Sequence, residues 1–351
     1  MTTATSSILF RRRGIAAGAV LSIAALVLAG CSNSGDEEAG GDAAANGDTC
    51  DISAEYPSGP IELVVPFAAG GGTDSVARLI AEELGSAMDA QINVVNRTGG
   101  GGVVGHQAIA TANPNGQTIG LVTAELAMLH HLGLTDVSPE SVTTISQMNA
   151  DPAGLTVAAD SEFESVSDVI DHARENPGDL VASGTAQAGI WHVSLAGMLL
   201  AEDVDADAIR WVPSEGAAPA LQEVVAGGVD ISTASLAENR TMIEAGRAKA
   251  LGVMDEERAP GFDEVETLQE QGIDFSMGTW RGIAGPADMD EDIVAELECH
   301  LGQIAESEAY TTFMEDAGLG MLYRNAEEFA TFAEEDDVTK GDIIREAGLA
   351  E

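Results

Sequence analysis

Short apolar runs alternate along the chain with glycine-rich turns and with segments that have helical spacing. The run at 61–65 is rich in β-branched and aliphatic residues, and Pro66 ends it because proline cannot donate to a strand ladder. Apolar residues then recur on one helix face, at Val76, Leu79, Ile80 and Leu84. Either Thr73 or Asp74 is expected to cap this helix. A second run at 92–95 comes at a distance that implies a parallel crossover.

The same alternation continues through the rest of the chain. Apolar runs at 118–122 and 180–182 predict two more strands, and a helix is expected over about 189–200. Strands that alternate with helices in this way are typical of an α/β fold, and we expect its sheets to be mostly parallel. The length of 351 residues exceeds the usual size of one hydrophobic core, so two lobes are expected.

The composition agrees with this fold class. Apolar residues make up 45% of the chain but aromatic residues only 4%, and there are 40 glycines. Such a chain can build its core from alanine, valine and leucine, and it has the glycines that tight strand-to-helix turns need. Disorder is therefore not expected over most of the sequence.

Charge narrows the range of partners. The chain has 15 basic and 59 acidic residues, a formal net charge of -44, and its only lysines are Lys249 and Lys340. Nucleic acid is excluded, because binding it depends on basic residues that neutralise phosphates. A surface this acidic repels itself in dilute buffer, whereas salt near 1 M shortens the Debye length to about 3 Å and screens the repulsion. The charge therefore indicates a salt-rich, halophilic milieu, the alternative being an acidic protein from an ordinary one.

The N-terminus has the features of an export signal. Arg11–Arg13 form a positive region, an apolar stretch from 15 to 28 follows, and Leu28–Cys31 ends it with small residues before a cysteine. This pattern resembles a bacterial lipoprotein signal, which implies that residues 1–30 are removed and that Cys31 carries a lipid anchor. The alternative is a membrane-spanning helix, but about 14 apolar residues fall short of the roughly 20 that a bilayer requires. The arginines also resemble a twin-arginine signal, so the export route stays open.

Residues 31–55 are expected to form an acidic, flexible tether. The part from 32 to 49 has no large apolar residue and cannot bury enough surface to fold. With Cys31 used for the lipid, Cys50 and Cys299 remain as an even pair in an oxidising compartment. They are candidates for a disulfide that pins the start of the folded region to a C-terminal helix, the alternative being two unpaired buried thiols.

Two glycine-rich segments suggest dinucleotide binding, but neither supports it well. At 70–75 the G-x-G-x-x-G pattern fails because Ser75 replaces the third glycine, and the next strand ends in Asn96 where ribose recognition calls for an acid. Residues 100–105 fit the pattern literally but do not follow the first strand of a unit. We therefore expect no dinucleotide and no other cofactor.

Catalytic and metal-binding patterns are also missing from the sequence. There is no G-x-S-x-G elbow, no P-loop and no H-E-x-x-H pair. His130 and His131 are adjacent, and on a helix they would point about 100 degrees apart and could not easily share a metal ion. We expect them to be surface histidines, and we expect neither a metal site nor an enzyme.

A series of longer blocks identifies a family. The blocks are Tyr56–Ile61 running into Val65–Asp74, Val94–Gly102, Ala182–Gly184 with His192, Val212–Leu221, Gly227–Asp230 and Trp280–Pro286. In this order, over nearly all of residues 56–345, the chain resembles receptors of the tripartite tricarboxylate transporter family, also called Bug-type solute receptors.

The resemblance implies a two-lobed fold like that of type II periplasmic binding proteins, with the ligand in a cleft between the lobes. Lobe one is expected to comprise 56–152 and 277–351, and lobe two 153–276. The implied function is an extracytoplasmic receptor, anchored to the cell membrane by lipid alone, that captures a small organic carboxylate, either a tricarboxylate such as citrate or a dicarboxylate. The implied partners are the integral-membrane permease subunits of a tripartite transporter, with the receptor a monomer. The alternative is a sensory accessory protein for a histidine kinase.

The resemblance also implies which loops hold the ligand. Strand ends and helix N-termini present backbone amides that suit a carboxylate. The implied positions are Phe67, Ala69, Gly70, Gly71, Gly72, Thr73 and Asp74 on one lobe, and Ser183, Gly184, Thr185, Gln187, Gly189 and His192 on the other. Asp74 is expected to cap its helix or hold water, since two carboxylates repel each other.

Polar residues elsewhere extend the candidate site. Thr123, Ser232 and Thr233 stand at strand ends that face the presumed cleft; they could bind a second ligand group or only satisfy local backbone. Arg281 could clamp a distal carboxylate with two hydrogen bonds, or it could form a salt bridge with one of the many acidic residues.

Overall fold

The protein is described by a computed structural model, in which Cys50, Ile52 and residues 56–350 are placed well enough to describe. These residues belong to one compact unit that extends over Asp48–Glu351. The predicted signal peptide 1–30, its Cys31 and the tether up to residue 49 lie outside the described residues. No helix within the described part is long and apolar enough to cross a lipid bilayer.

Eleven strands and nine α-helices form the described part of the chain. The strands are β1 (Ile61–Val65), β2 (Ile92–Asn96), β3 (Thr118–Thr123), β4 (Val142–Pro152), β5 (Gly154–Ala158), β6 (Val181–Ser183), β7 (Arg210–Trp211), β8 (Ile231–Ser232), β9 (Ala248–Val253), β10 (Gly278–Pro286) and β11 (Met321–Arg324). The helices are α1 (Gly72–Ala87), α2 (Val103–Ala110), α3 (Val166–Glu175), α4 (Ile190–Ala201), α5 (Ala217–Ala226), α6 (Leu236–Glu244), α7 (Glu291–Ala305), α8 (Glu308–Ala317) and α9 (Ala326–Glu346).

The strands form two sheets, which confirms the α/β fold with two lobes. One sheet has six strands in the order β11-β4-β10-β3-β1-β2, and the other has five in the order β7-β6-β8-β5-β9. In the first, β1 is parallel to β2 and β3, whereas β10 runs antiparallel to β3 and β4. In the second, β6 is parallel to β7 and β8, whereas β5 is antiparallel to β8 and β9.

The expectation of mostly parallel sheets was therefore wrong, because both sheets are mixed. The strands predicted from apolar runs, β1, β2, β3 and β6, all belong to the parallel part of a sheet, where helical crossovers separate neighbouring strands. The antiparallel part consists largely of β4, β5, β9 and β10. β4 and β5 carry the chain from the six-stranded sheet to the five-stranded one, and β9 and β10 carry it back. The returning strands therefore run antiparallel to the outgoing ones.

The two passages between the sheets lie side by side. β4 ends at Pro152 and β5 begins at Gly154, while β10 starts at Gly278, directly opposite Pro152. A Cβ on Gly278 would stand 2.4 Å from the carbonyl oxygen of Asp151, so only glycine lets the two strands approach this closely. This pairing places Asp151 and Arg281 where the chain crosses between the lobes.

Apolar side chains are buried on both faces of the six-stranded sheet. Ile61, Leu63 and Val65 of β1 point to one face and pack with α1, whereas Val64 points to the other face and belongs to a second cluster. Full burial of such side chains stabilises a fold by about 1.5–3 kcal/mol each. The apolar stripe predicted for α1 is confirmed, with Val76, Ile80 and Leu84 fully buried. A disulfide joins Cys50 to Cys299 on α7, with an S–S distance of 1.98 Å.

Candidate ligand-binding site

A cleft of about 600 Å³ opens where loops from the two sheets meet. It is lined by many of the residues singled out from the sequence. These are Phe67, Ala69, Gly70, Gly71, Gly72, Thr73, Thr123, Thr185, Gln187, Gly189 and Arg281. Residues far apart in the sequence are thus brought to one concave surface, as small-molecule sites require.

Three helices begin at this cleft with a glycine at the N-cap. They are α1, α4 and α5, whose N-caps are Gly71, Gly189 and Gly216, and none of these N-caps has a side chain that accepts a first-turn N–H. A helix leaves its first four N–H groups without intrahelical acceptors and has partial positive charge at that end. These glycine-capped helices therefore direct free amide donors and positive potential into the cleft.

The other helices, apart from α2, are capped differently; α2 also begins after a glycine without a side-chain cap, Gly102, which lies outside the cleft lining. Five helices have an N-cap side chain that accepts a first-turn amide: Ser165 for α3, Ser235 for α6, Asp290 for α7, Ser307 for α8 and Asn325 for α9. Such a cap satisfies one of the orphan donors that a ligand would otherwise use. The contrast indicates that the amides of α1, α4 and α5 are left for an external anion.

Asp74 supports the first glycine loop from behind. Neither Thr73 nor Asp74 is the N-cap, as had been expected; that residue is Gly71, and Asp74 lies in the first turn, 2% exposed and outside the cleft lining. Its carboxylate accepts hydrogen bonds from the Gly70 N–H at 2.8 Å, from Asn96 at 2.8 Å and from two Arg78 nitrogens at 2.9 Å. Burial raises the pKa of Asp74, but these hydrogen bonds and the Arg78 charge outweigh it and lower the pKa to about 2.

Five other predicted residues do not reach the cleft. The Ser183 hydroxyl donates to the Val212 carbonyl at 2.7 Å, the Thr233 hydroxyl donates to the Trp191 carbonyl at 2.9 Å, and Ser232 accepts from Asn239 at 3.3 Å. All three hydroxyls are buried. They satisfy the protein's own polar groups, so of the three strand-end residues named with Arg281, only Thr123 lines the cleft.

Gly184 and His192 also lie outside the cleft lining and have structural roles. A Cβ on Gly184 would lie 2.8 Å from Trp191, so glycine is needed there for close packing. His192 is stacked on Trp211, with ring centroids 4.7 Å apart, and its Nδ1 accepts the Ala188 N–H at 3.0 Å. Burial lowers the pKa of His192 to about 4, which keeps the ring neutral in this role.

Arg281 lines the cleft but is already paired. It is 5% exposed and lies 2.5 Å from the carboxylate of Asp151, which is itself 2% exposed. The same nitrogen also donates to Asn149, and Nε donates to the Thr73 hydroxyl at 3.1 Å. Among the described residues that line the cleft, Arg281 is the only basic one. Its charge is therefore balanced within the protein.

Two glutamates that the sequence reasoning missed lie in the cleft near Arg281. Glu125 follows β3 and accepts the Thr123 hydroxyl, and Glu238, in the first turn of α6, accepts the Ser235 hydroxyl at 3.4 Å. Glu238 is exposed to the open cleft, yet the protein around its carboxyl group reduces the solvation of the charged form. This desolvation raises the pKa of Glu238 to about 7, with Arg281 acting against the shift and Asp151 adding to it. Burial also raises the pKa of Glu125.

An apolar wall completes the cleft. Its side chains follow β3 and begin α4: Met128, Leu129, Leu132, Leu134, Ile190 and Trp191. The segment from Glu215 to Pro219, which leads into the first turn of α5, forms another part of the lining. Residues 212–221 are one of the blocks that resemble the family but were not expected in the site, although a glycine directly before a helix was a usable signal.

His130 and His131 lie together outside the cleft lining. His130 Nε2 is 3.2 Å from Asp337 Oδ1, and His131 Nε2 is 3.3 Å from Oδ2 of the same carboxylate on α9. The expectation that two adjacent histidines would diverge assumed a helix. They belong to a hydrogen-bonded turn instead, which lets both rings face one acid. Both rings are only partly exposed, and the contact joins the turn that carries Leu129 and Leu132 to α9.

Comparison with known proteins places these features in context. The model of the family described as "Tripartite tricarboxylate transporter family receptor" matches residues 76–349. A protein encoded in the tcbD-tcbE intergenic region of Pseudomonas sp. (strain P51) is 33% identical over 253 residues, covering 71% of this chain and 74% of that one.

Solved structures agree with that match. A TctC solute-binding protein from Polaromonas has a TM-score of 0.72 and 31% identity, covering 83% of this chain and 99% of that one. The R. palustris protein Rpa4515, solved with adipate, has a TM-score of 0.72 and 25% identity, covering 84% of this chain and 99% of that one.

Proposed function

Because this chain belongs to the tripartite tricarboxylate transporter receptor family, we propose that it captures a small organic carboxylate in the cleft and delivers it to a membrane transporter. The family is one of extracytoplasmic solute-binding receptors, a class that binds ligands and does not transform them. We accordingly propose no catalytic role for this chain.

One observation carries the proposal: three glycine-capped helices begin at the same cleft. Gly71 belongs to the lobe of the six-stranded sheet, and Gly189 and Gly216 belong to the lobe of the five-stranded sheet. Amides that line one cleft from both lobes suit a carboxylate, which has two oxygens and about four acceptor positions. The adipate bound by the relative Rpa4515 is a carboxylate of this kind.

Capture by donors on both lobes also implies a mechanism of closure. A carboxylate that bonds to α1 on one side and to α4 or α5 on the other stabilises the closed arrangement over the open one by its differential contacts. We propose lobe boundaries of 56–152 with 277–351 and of 153–276, because the crossing strands divide the two sheets at these points. A closed receptor would then present a different surface to the transporter than an empty one.

The membrane location and the partners are part of the proposal. The lipobox-like pattern before Cys31 supports a lipid anchor on the extracytoplasmic face, with the permease subunits of a tripartite transporter as partners. A single lipid-anchored receptor chain is sufficient for such delivery, so we propose a monomer.

Thermal unfolding with a ligand panel tests the proposed function. The chain without residues 1–31 retains the whole compact unit and both disulfide cysteines, and it is unfolded in about 1 M salt with di- and tricarboxylates, amino acids, sugars and nucleotides. A ligand at a hundredfold excess over its Kd stabilises the folded state by about 2.7 kcal/mol. We expect stabilisation only by compounds that contain a carboxylate. Stabilisation by a sugar or a nucleotide alone would contradict the proposal.

A further inference from the structure

The acidic residues near Arg281 outnumber the basic ones. Arg281 is bonded to Asp151, and Lys340, whose charge also reaches Glu125, is bonded to Asp336. After these two pairs are formed, Glu125 and Glu238 remain, and neither forms an ion pair with any described residue. The hydroxyl groups that bond to them, on Thr123 and Ser235, carry no counter-charge. The cleft therefore contains acceptors that the protein itself does not neutralise.

We propose that the ligand is a carboxylate that also carries an ammonium group, with its carboxylate on the glycine-capped helices and its ammonium group against Glu125 and Glu238. This inference rests on the proposed function and specifies the ligand class of the same cleft. A second ionised carboxylate on the ligand would meet like charges in a partly dry cleft, where repulsion is stronger than in water. An ammonium group instead brings three donors and the missing positive charge.

The apolar wall of the same cleft suits an uncharged link between the two charged ends of a ligand. Met128, Leu129 and Leu132 occupy the stretch of chain directly after Glu125, and they offer no partner to further charged groups. A ligand with a methylene spacer between its carboxylate and its ammonium group matches this lining. Citrate, with three carboxylates and no positive charge, matches it poorly.

The experiment compares ligands that differ only at one end. Glutarate and 4-aminobutanoate share a three-methylene chain, adipate and 5-aminopentanoate share a four-methylene chain, and butanoate has no distal polar group. Kd values are measured by isothermal titration calorimetry at pH 8 and about 1 M salt. We expect each amino carboxylate to bind at least about tenfold more tightly than its dicarboxylate, roughly the effect of one charge-assisted hydrogen bond. Each amino carboxylate should also bind more tightly than butanoate.

Variants assign the selectivity to the glutamates. Glu238→Gln and Glu125→Gln should each reduce the preference for the amino carboxylate by about tenfold, because each removes a negative charge and keeps the side-chain shape. Glu244→Gln is the matched control, since Glu244 is an exposed residue on the same helix and outside the cleft lining. It should leave the preference unchanged.

A pH series adds an independent readout. Glu238 is faced by Arg281 from β10, by Asp151 from β4 and by Ser235 from its own helix, and its pKa is about 7. Raising the pH from 6 to 8 ionises this carboxyl, so the preference for the ammonium end should grow several-fold in the wild type. Glu238→Gln should lose that growth.

The outcomes separate this inference from the function on which it rests. If glutarate binds as tightly as 4-aminobutanoate, or if 4-aminobutanoate binds no better than butanoate, the ligand class is wrong while the carboxylate receptor stands. If no compound of the series binds and the wider panel contains no other carboxylate that does, the proposed function itself fails, and this inference fails with it.

Discussion

The two sides of the cleft differ in how their polar groups are satisfied. On one side, α1, α4 and α5 begin with glycine and leave their first-turn amides unbonded by side chains. On the other, Glu125 and Glu238 of the lining and Asp151, which is buried outside the lining, gather around a single arginine, and we call these three the carboxylate cluster. The first side offers mainly amide donors, although Glu215 before α5 also lines the cleft, and the second offers mainly acceptors. A site built in this way can orient a ligand as well as hold it.

Replacing Arg281 should have the largest effect, because it removes the positive charge from the carboxylate cluster. Arg281→Met leaves the buried Asp151 without its counter-charge, and unpaired charges of this kind cost about 3–5 kcal/mol. We expect a loss of that size in the free energy of unfolding, measured by urea titration. The double variant Arg281→Met with Asp151→Asn should recover most of it, because Asn can still accept the Gly320 N–H that Asp151 now accepts at 2.8 Å. A loss below about 1 kcal/mol in the single variant would show that the pair is dispensable.

The donor side can be tested by deleting a single amide. Gly72 is the first residue of α1, where proline is tolerated, and the preceding Gly71 has the extended angles that a following proline requires, φ -85° and ψ 172°. Gly72→Pro should therefore fold normally but lose about 1.5–3 kcal/mol of carboxylate binding, or tenfold or more in Kd by calorimetry.

The control for that deletion is a proline at the same helical position elsewhere. Glu291→Pro alters the first residue of α7, which is capped by Asp290 and lies outside the cleft lining. It should leave ligand affinity unchanged. Equal loss of affinity in both variants would mean that proline acts through the fold and not through the missing amide.

Low pH should weaken the hydrogen bonds by which Asp74 holds the glycine loop before α1. The folded pKa of Asp74 is about 2, below its ordinary value near 4, so its bonds stabilise the fold above pH 4 and this contribution is lost as the pH falls toward 2. The contribution is about 1–2 kcal/mol, allowing for the half-exposed Arg78. In urea unfolding at pH 5 and at pH 2, the gap between the wild type and Asp74→Asn should shrink by this amount. A gap that is constant with pH would show that the ionised Asp74 carboxylate does not stabilise the fold in this way.

Salt should have the smallest effect, although the chain is strongly acidic. The net charge of -44 acts over long distances and is screened, whereas amide hydrogen bonds to a carboxylate are short-ranged. We expect affinity for a carboxylate to hold or to rise between about 0.1 M and 1 M salt, as measured by calorimetry. A tenfold loss over that range would show that long-range charge, not the local amides, decides binding.

How far the sequence could predict the fold and the site depends on whether the signal is local. The strand at 61–65, the α1 face and the first glycine loop each rest on neighbouring residues, and the structure has them where the pattern indicates. Strand-end hydroxyls were a weaker guide, because a buried hydroxyl can equally well bond to the protein's own groups, as Ser232 does with Asn239 and Thr233 with the Trp191 carbonyl. Thr123 faces the cleft, whereas Ser232 and Thr233 face the interior.

The carboxylate cluster could not have been predicted in this way. Glu125 and Glu238 are separated by more than 100 residues, and in a chain with 59 acidic residues neither has a local pattern that sets it apart. What sets them apart is their place in the cleft near Arg281, which depends on long-range contacts such as the pairing of β10 with β4. The order of strands in the sheets, and with it this pairing, is a long-range property that periodicity does not encode.

The disulfide between Cys50 and Cys299 has a mechanical consequence. It joins the segment before β1 to α7, across 249 residues of sequence. Tension applied to the chain ahead of Cys50 can therefore pass through the disulfide into α7 as well as along the backbone to β1, the strand between β2 and β3 in the six-stranded sheet. A receptor that is pulled from its N-terminal side would thus share the load between β1 and α7, which lowers the force on the strand that leads into the first glycine loop.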